Sequence, residues 1–259
     1  MVRYRLLLLA SSLLAGTGGA ACTHSNEPER AELRVFAAAS LQDAFAALAR
    51  DFEQRRGDVQ VQLSFAGSQV LRMQLERGAA ADVFASANVE HMRALVRAGI
   101  VPQQKTFAYN ALSVIVPRAN PAGIAAFEDL PKAKRLVVGT GSVPVGRYTE
   151  RMLGKAETQF GKGFVARVQR RVVSRESNVR LVRAKVALGE ADAAIVYRTD
   201  AVASKRVKAV PVPQAVNVRA RYTIGRTADR RLARHFLDYV LSEPARSILA
   251  QHGFVTEGL

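Results

Sequence analysis

The stretch RVFAAASLQDAF, Arg34 to Phe45, decides how the rest of the chain is read. A strand-like apolar run gives way to three alanines, then Ser40, then a helix whose apolar positions Leu41, Phe45, Leu48 and Phe52 fall on one face. Small side chains where a strand turns into a helix have two physical explanations. Either the helix packs tightly on its strand, or something must approach the backbone there.

Working outward, the same strand-to-helix step recurs. The helix over 41–56 stops at Gly57, and a strand over 59–65 passes through the turn AGS into a helix over 69–77 closed by Gly78. A third strand over 82–85 follows, and Asn88 is placed to cap a helix that ends before Gly99. A strand over 110–117 starts a second set of units. It contains strands over 135–139, 171–173 and 193–197, a helix entered near Gly146, and helices over 179–188 and 199–204. A strand-like segment over 216–224 and two helices, 228–241 and 244–252, finish the chain. This alternation predicts an α/β fold with largely parallel sheets.

With 259 residues, 49% of them hydrophobic, the chain can bury one large core or the cores of two modest lobes. Arg3 and Arg5 precede an apolar run from Leu6 to Ala15 and then small residues, which reads as an export signal over 1–21. That run is too short for a permanent membrane span, and a soluble mature chain is expected. Cys22, the only cysteine, excludes an internal disulfide and sits at the cleavage point. There it fits the lipid-carrying cysteine of a bacterial lipoprotein, while GAA before it equally fits ordinary signal cleavage. Residues 22–32 are expected to form a polar tether.

The formal net charge is +16. Loss of residues 1–21 removes two arginines and no acid, so a large surplus remains. Nucleic acid is not the expected partner, because the basic residues are scattered and an exported protein meets little of it. A small anionic ligand, an acidic membrane surface, or a compositional preference for arginine each fit better.

Signs of catalysis are sparse. The four histidines, His24, His91, His235 and His252, share no ligand spacing, and HExxH, GxSxG and the Walker loop do not occur. What recurs is a set of small, neutral strand-to-helix junctions: AAAS at 37–40, AGS at 66–68, VPVG at 143–146 and SNV at 177–179. Each offers free N–H groups at a positive helix end, and several converging would hold an anion without a charged side chain. Taken singly, Ser40 with Asp43 also fits a capping box and Ser68 an N-cap. Tyr197, closing the strand AAIVY, fits either a phenolic donor to the same place or a plain core tyrosine. Open α/β sheets bind ligands at the carboxyl ends of their strands.

The strings VFAAASL, SFAGS, GAAADVFASA, VPVGRY, IVYRTDAVASK and HGF occur in order over nearly all of the chain after residue 32. In them the chain resembles the periplasmic molybdate-binding proteins of ABC importers. The resemblance implies a two-lobed type II periplasmic binding protein fold, each lobe a mostly parallel sheet flanked by helices. Lobe one is expected over 33–111 and 217–259, and lobe two over 112–216. It further implies a binding protein rather than an enzyme, a monomer in the periplasm or cell envelope that needs no cofactor. Its ligand would be molybdate or tungstate, delivered to an inner-membrane permease. Carried across by motif, the ligand-binding residues are Ser40, Ser68, Val145, Val179 and Tyr197. The serines and the tyrosine would act through hydroxyls; Val145, Val179 and both serines would offer backbone N–H groups. Val145 stands where alanine is common and Gly67 where another serine is frequent. Other readings are a sister protein for sulfate or thiosulfate, an exported hydrolase, or a sensor lobe.

Overall fold

The computed structural model describes residues 30–258. The expected signal over 1–21 and Cys22 lie outside the described residues, as does most of the tether. The tether's end is corrected: the first strand, β1, is Ala31–Ala38, so Ala31 and Glu32 belong to the sheet. The cause is β2, Val59–Ala66, which offers a parallel ladder from Ala31 opposite Val59 to Ala38 opposite Ala66. A 3-10 turn at Ala39–Leu41 then leads into α1, Gln42–Arg56. Leu41, Phe45, Leu48 and Phe52 are buried, as the helical spacing predicts. Gly57 ends the helix at φ +64°, a conformation that costs other residues more than glycine.

The first half continues with α2, Ser68–Glu76, β3, Val83–Ser86, and α3, Val89–Arg97. Asn88 does cap α3, its Oδ1 accepting from His91 N at 3.2 Å. The strand β4 runs over Lys105–Pro117, five residues longer at its start than the apolar run indicates. The second half holds β5 (Leu136–Gly139), α4 (Pro144–Phe160), α5 (Phe164–Gln169), β6 (Val172–Glu176) and α6 (Val179–Ala187). It continues with β7 (Ala193–Tyr197), α7 (Arg198–Val202) and β8 (Val207–Val210). The chain ends with β9 (Arg219–Arg226), α8 (Arg231–Leu241) and α9 (Glu243–Gln251). The short α5 is absent from the sequence pattern because tertiary bonds hold it: Glu157 accepts from Gly163 N at 2.6 Å and Val165 N at 2.8 Å.

The strands lie in the order β2-β1-β3-β9-β4-β7-β5-β6, with β8 also paired to β4. The outer three strands on each side are parallel among themselves, and every antiparallel strand pair includes β4 or β9. β4 belongs to both halves, pairing β9 up to Ala111 and β7 from Leu112. At that handover the Asn217 side chain replaces a ladder strand, accepting from Leu112 N at 3.0 Å and donating to Leu112 O at 2.9 Å.

An aromatic wedge packs beneath the 39–41 turn. Phe45 meets Phe107 at 5.8 Å between ring centroids, Phe107 meets Tyr222 at 6.3 Å, and Tyr222 meets Phe254 at 5.3 Å, all edge to face. Each such pair contributes about 0.5–1.5 kcal/mol beyond the area it buries. The wedge fixes Tyr222, and through it the turn that carries Ser40.

Candidate functional site

Four helix starts meet where the two halves of the sheet face each other. The 39–41 turn and α2 come from the first half, α4 and α6 from the second. Ser40, Ser68, Val145, Val179 and Tyr197 all line the one cavity between them, together with Ala38, Ala39, Gly67, Ala87, Val143, Pro144 and Asn178. No charged side chain is in that lining. The atom-free space is about 200 Å³ even with adjoining solvent included. So small a space admits only a small occupant.

Local sequence explains why the donors point inward. Pro144 occupies the first helical position of α4 and has no N–H, which makes Val145 N–H the first donor of that helix. In α6 the N-cap Asn178 accepts from Leu181 N at 3.1 Å, so the capping side chain serves the third N–H and leaves Val179 N–H free. Gly146 lets the loop after β5 lie against α4, because a Cβ there would stand 2.0 Å from Thr140 O.

Neither serine is a cap. Leu41 holds the N-cap position of α1 without any side-chain bond, so the capping box with Asp43 does not form. Ser40 Oγ instead accepts from the Tyr222 hydroxyl at 2.9 Å. Ser68 is the first residue of α2, behind Gly67, and its Oγ accepts from Ala87 N at 3.1 Å. Since a hydroxyl carries a single proton, an oxygen already accepting from the protein keeps that proton for the cavity. Tyr197 is fully buried, and its hydroxyl has no hydrogen-bond partner within the protein. Burial drives the Tyr197 and Tyr222 phenols well above their ordinary values, so both remain protonated donors at neutral pH. Among the described residues, no three His, Cys, Asp or Glu side chains gather as cation ligands. The cavity is a cage of donors.

Contacts across the cleft surround the cage. Gln69 Nε2 donates to Ser177 O at 2.7 Å, His91 Nε2 lies 2.9 Å from Ser142 O, and Arg151 pairs with Glu90 at 2.6 Å. Burial pushes His91 below its ordinary value, so the neutral imidazole donates its Nε2 proton to that carbonyl. Sequence reasoning missed Tyr222, Arg180 and His91 as supports of the site. Their partners Ser40, Ala39 and Ser142 are 182, 141 and 51 positions away, and no local spacing encodes such pairs.

The sequence signature of bacterial extracellular solute-binding proteins matches residues 33–255. The molybdate-binding protein ModA of Mycobacterium tuberculosis is 36% identical over 255 residues, which cover 96% of this chain and 94% of that protein. Among solved structures, the periplasmic molybdate-binding protein of Azotobacter vinelandii superposes with a TM-score of 0.74 at 20% identity. That match covers 86% of this chain and 98% of that one. The sulfate-binding protein SubI of Mycobacterium tuberculosis superposes with a TM-score of 0.76 at 20% identity, covering 88% of each chain. At such identities these two likenesses establish the fold and leave the ligand open.

Proposed function

We propose, from the premise that the chain belongs to the bacterial extracellular solute-binding protein family, that its cleft captures molybdate or tungstate for a membrane permease of the ABC class. One observation carries this reading. Ser40, Ser68, Val145, Val179 and Tyr197 converge on one small cavity lined by no charged side chain, and the two serine oxygens are already occupied as acceptors. Such a cage is rich in donors, and its lining holds no carboxylate to accept from a protonated guest. A fully deprotonated tetrahedral dianion needs only donors, whereas a protonated phosphate also needs an acceptor, so the cage discriminates between them.

The energetics suffice without a counter-charge. Three hydroxyls and four N–H groups are available, and a hydrogen bond to a charged group contributes roughly 1.5–3 kcal/mol net. Six such bonds would offset the dehydration of a dianion only because the donors are fixed beforehand by Tyr222, Ala87, Pro144 and Asn178. Donors set for long metal–oxygen bonds leave the smaller sulfate with stretched contacts. The 36% identity to molybdate-binding relatives supports the same choice.

We assign the two lobes to 33–111 with 217–259 and to 112–216, supported by the handover of β4 between Ala111 and Leu112. Ligand bridges them: Ser40 and Ser68 come from one lobe, Val145, Val179 and Tyr197 from the other. Binding therefore selects the closed arrangement, which is what a permease would read. The large positive charge serves attraction at a distance and weakens with salt. Residues 30–258 contain no helix long and apolar enough to cross a membrane. An anchor, where present, would be a lipid on Cys22, which mass spectrometry of the mature N-terminus reads directly.

Calorimetric titration with molybdate, tungstate, sulfate and phosphate tests the proposal. Molybdate and tungstate should bind far more tightly than sulfate, and phosphate hardly at all. A preference for sulfate overturns the specificity and favours the sister class; no binding of any oxyanion overturns the assignment.

A further inference from the structure

Arg180 follows Val179 in the first turn of α6, yet its guanidinium reaches across the cleft. Its Nε donates to Ala39 O at 3.1 Å and its NH2 to Asp43 Oδ2 at 2.6 Å. The side chain is 18% exposed, and Asp200 Oδ1, almost wholly buried, lies 3.7 Å from Nε. One side chain thus ties the helix start that presents Val179 to the turn that presents Ser40. The bond to Ala39 O carries a second consequence. Ala39 C=O and Ser40 N–H belong to the same peptide group and point in opposite directions. A cation at the carbonyl end polarises that group, which strengthens its N–H as a donor on the far side, where the cavity is.

We propose that Arg180 is a positioning residue of the anion site: it clamps the cleft shut and passes its charge to the bound anion through the Ala39–Ser40 peptide group, without touching the anion. This rests on the oxyanion-binding reading above. It explains how a cage lined by no charged side chain nonetheless draws on a nearby cation, while Asp43 balances that cation when the cleft is empty. A guanidinium suits the task because its planar fork holds a carbonyl and a carboxylate in fixed directions, whereas an ammonium is a point charge on a flexible stem.

The test compares wild type, Arg180→Gln, Arg180→Lys and Asp43→Asn. Molybdate affinity is measured by calorimetry, the dissociation rate by stopped-flow tyrosine fluorescence, and folding by thermal melting without ligand. Arg180→Gln should bind molybdate at least tenfold more weakly, and Arg180→Lys should recover only part of the loss. The change should appear in the dissociation rate, with association hardly altered, and should persist in 0.5 M salt. A merely attractive surface charge would alter association and vanish with salt instead. Asp43→Asn, at a half-exposed position, keeps the bond to Ala39 and should lose about three- to tenfold with an unchanged melting temperature; it decides the matter even if Arg180→Gln does not fold. Wild-type affinity in Asp43→Asn, or in a folded Arg180→Gln, overturns the role of Arg180 and leaves the oxyanion reading intact. Failure of the wild type to bind any oxyanion overturns both.

Discussion

Replacing Tyr197 by phenylalanine should move stability and affinity in opposite directions. The Tyr197 side chain is fully buried and its hydroxyl has no partner within the protein. Burying an unpaired hydroxyl costs about 1–3 kcal/mol, so Tyr197→Phe removes a penalty and leaves the ring contacts with Tyr148 and Tyr222 in place. The ligand-free protein should melt at the same temperature or higher. The bound anion loses one hydrogen bond to a charged acceptor, roughly 1.5–3 kcal/mol, which corresponds to about 10- to 150-fold weaker molybdate binding. In saturating molybdate that loss lowers the ligand-induced rise in melting temperature by about 3–12 °C, at roughly 2–4 °C per kcal/mol for a chain of this size. Differential scanning calorimetry with and without molybdate measures both effects on one sample. A lower melting temperature without ligand would place a hidden partner on the Tyr197 hydroxyl. Unchanged affinity would remove Tyr197 from the site, and the reasoning from its unpaired proton would fail.

Three further outcomes follow from neighbouring geometry. Ser40→Ala strands the buried Tyr222 hydroxyl, so it should cost about 1–3 kcal/mol of stability in chemical denaturation as well as weakening molybdate binding; full stability would show that Tyr222 has another acceptor. Gly67→Ser should weaken binding at least tenfold with little change in ligand-free stability, because a Cβ there stands 2.5 Å from Ser177 O across the cleft; wild-type affinity would show that closure leaves more room. Asp200 is pushed up from 3.8 to about 7, first by burial, with Asp43 adding to the rise and Arg180 and Arg183 opposing it. A carboxyl raised in the folded state holds its proton longer there, so its contribution to stability is lost as pH climbs from about 4 to about 7. Against Asp200→Asn, wild type should lose up to about 4 kcal/mol over that window and nothing more above it; parallel stability profiles for the two proteins would refute the shift.

The capping box at Ser40 shows how local pattern can be right about a residue and wrong about its task. Ser40 and Asp43 have the spacing of a cap, yet the 39–41 turn moves the helix start to Gln42 and frees both side chains. Ser40 then meets Tyr222, and Asp43 meets Arg180. Gly67 is another case. In sequence it is a small residue where another serine would fit; in the fold it lies under Ser177 O, where no Cβ is accommodated.

By itself the sequence determined most of the succession of strands and helices, missing the short α5 and β8, because burial periodicity and glycine stops act within a few residues. It also determined the junction residues, since small side chains and free helix-end amides are local properties. Resemblance to a known family added their common purpose. Only tertiary structure decided that the four helix starts face one another, that β4 changes partner at Leu112, and that the hydroxyl oxygens of Ser40 and Ser68 are occupied while their protons are free. Those are pairings between residues far apart in the chain, and they form because burial of both halves of the sheet drives most polar groups at the cleft to find partners there, while the Tyr197 hydroxyl is left for a ligand.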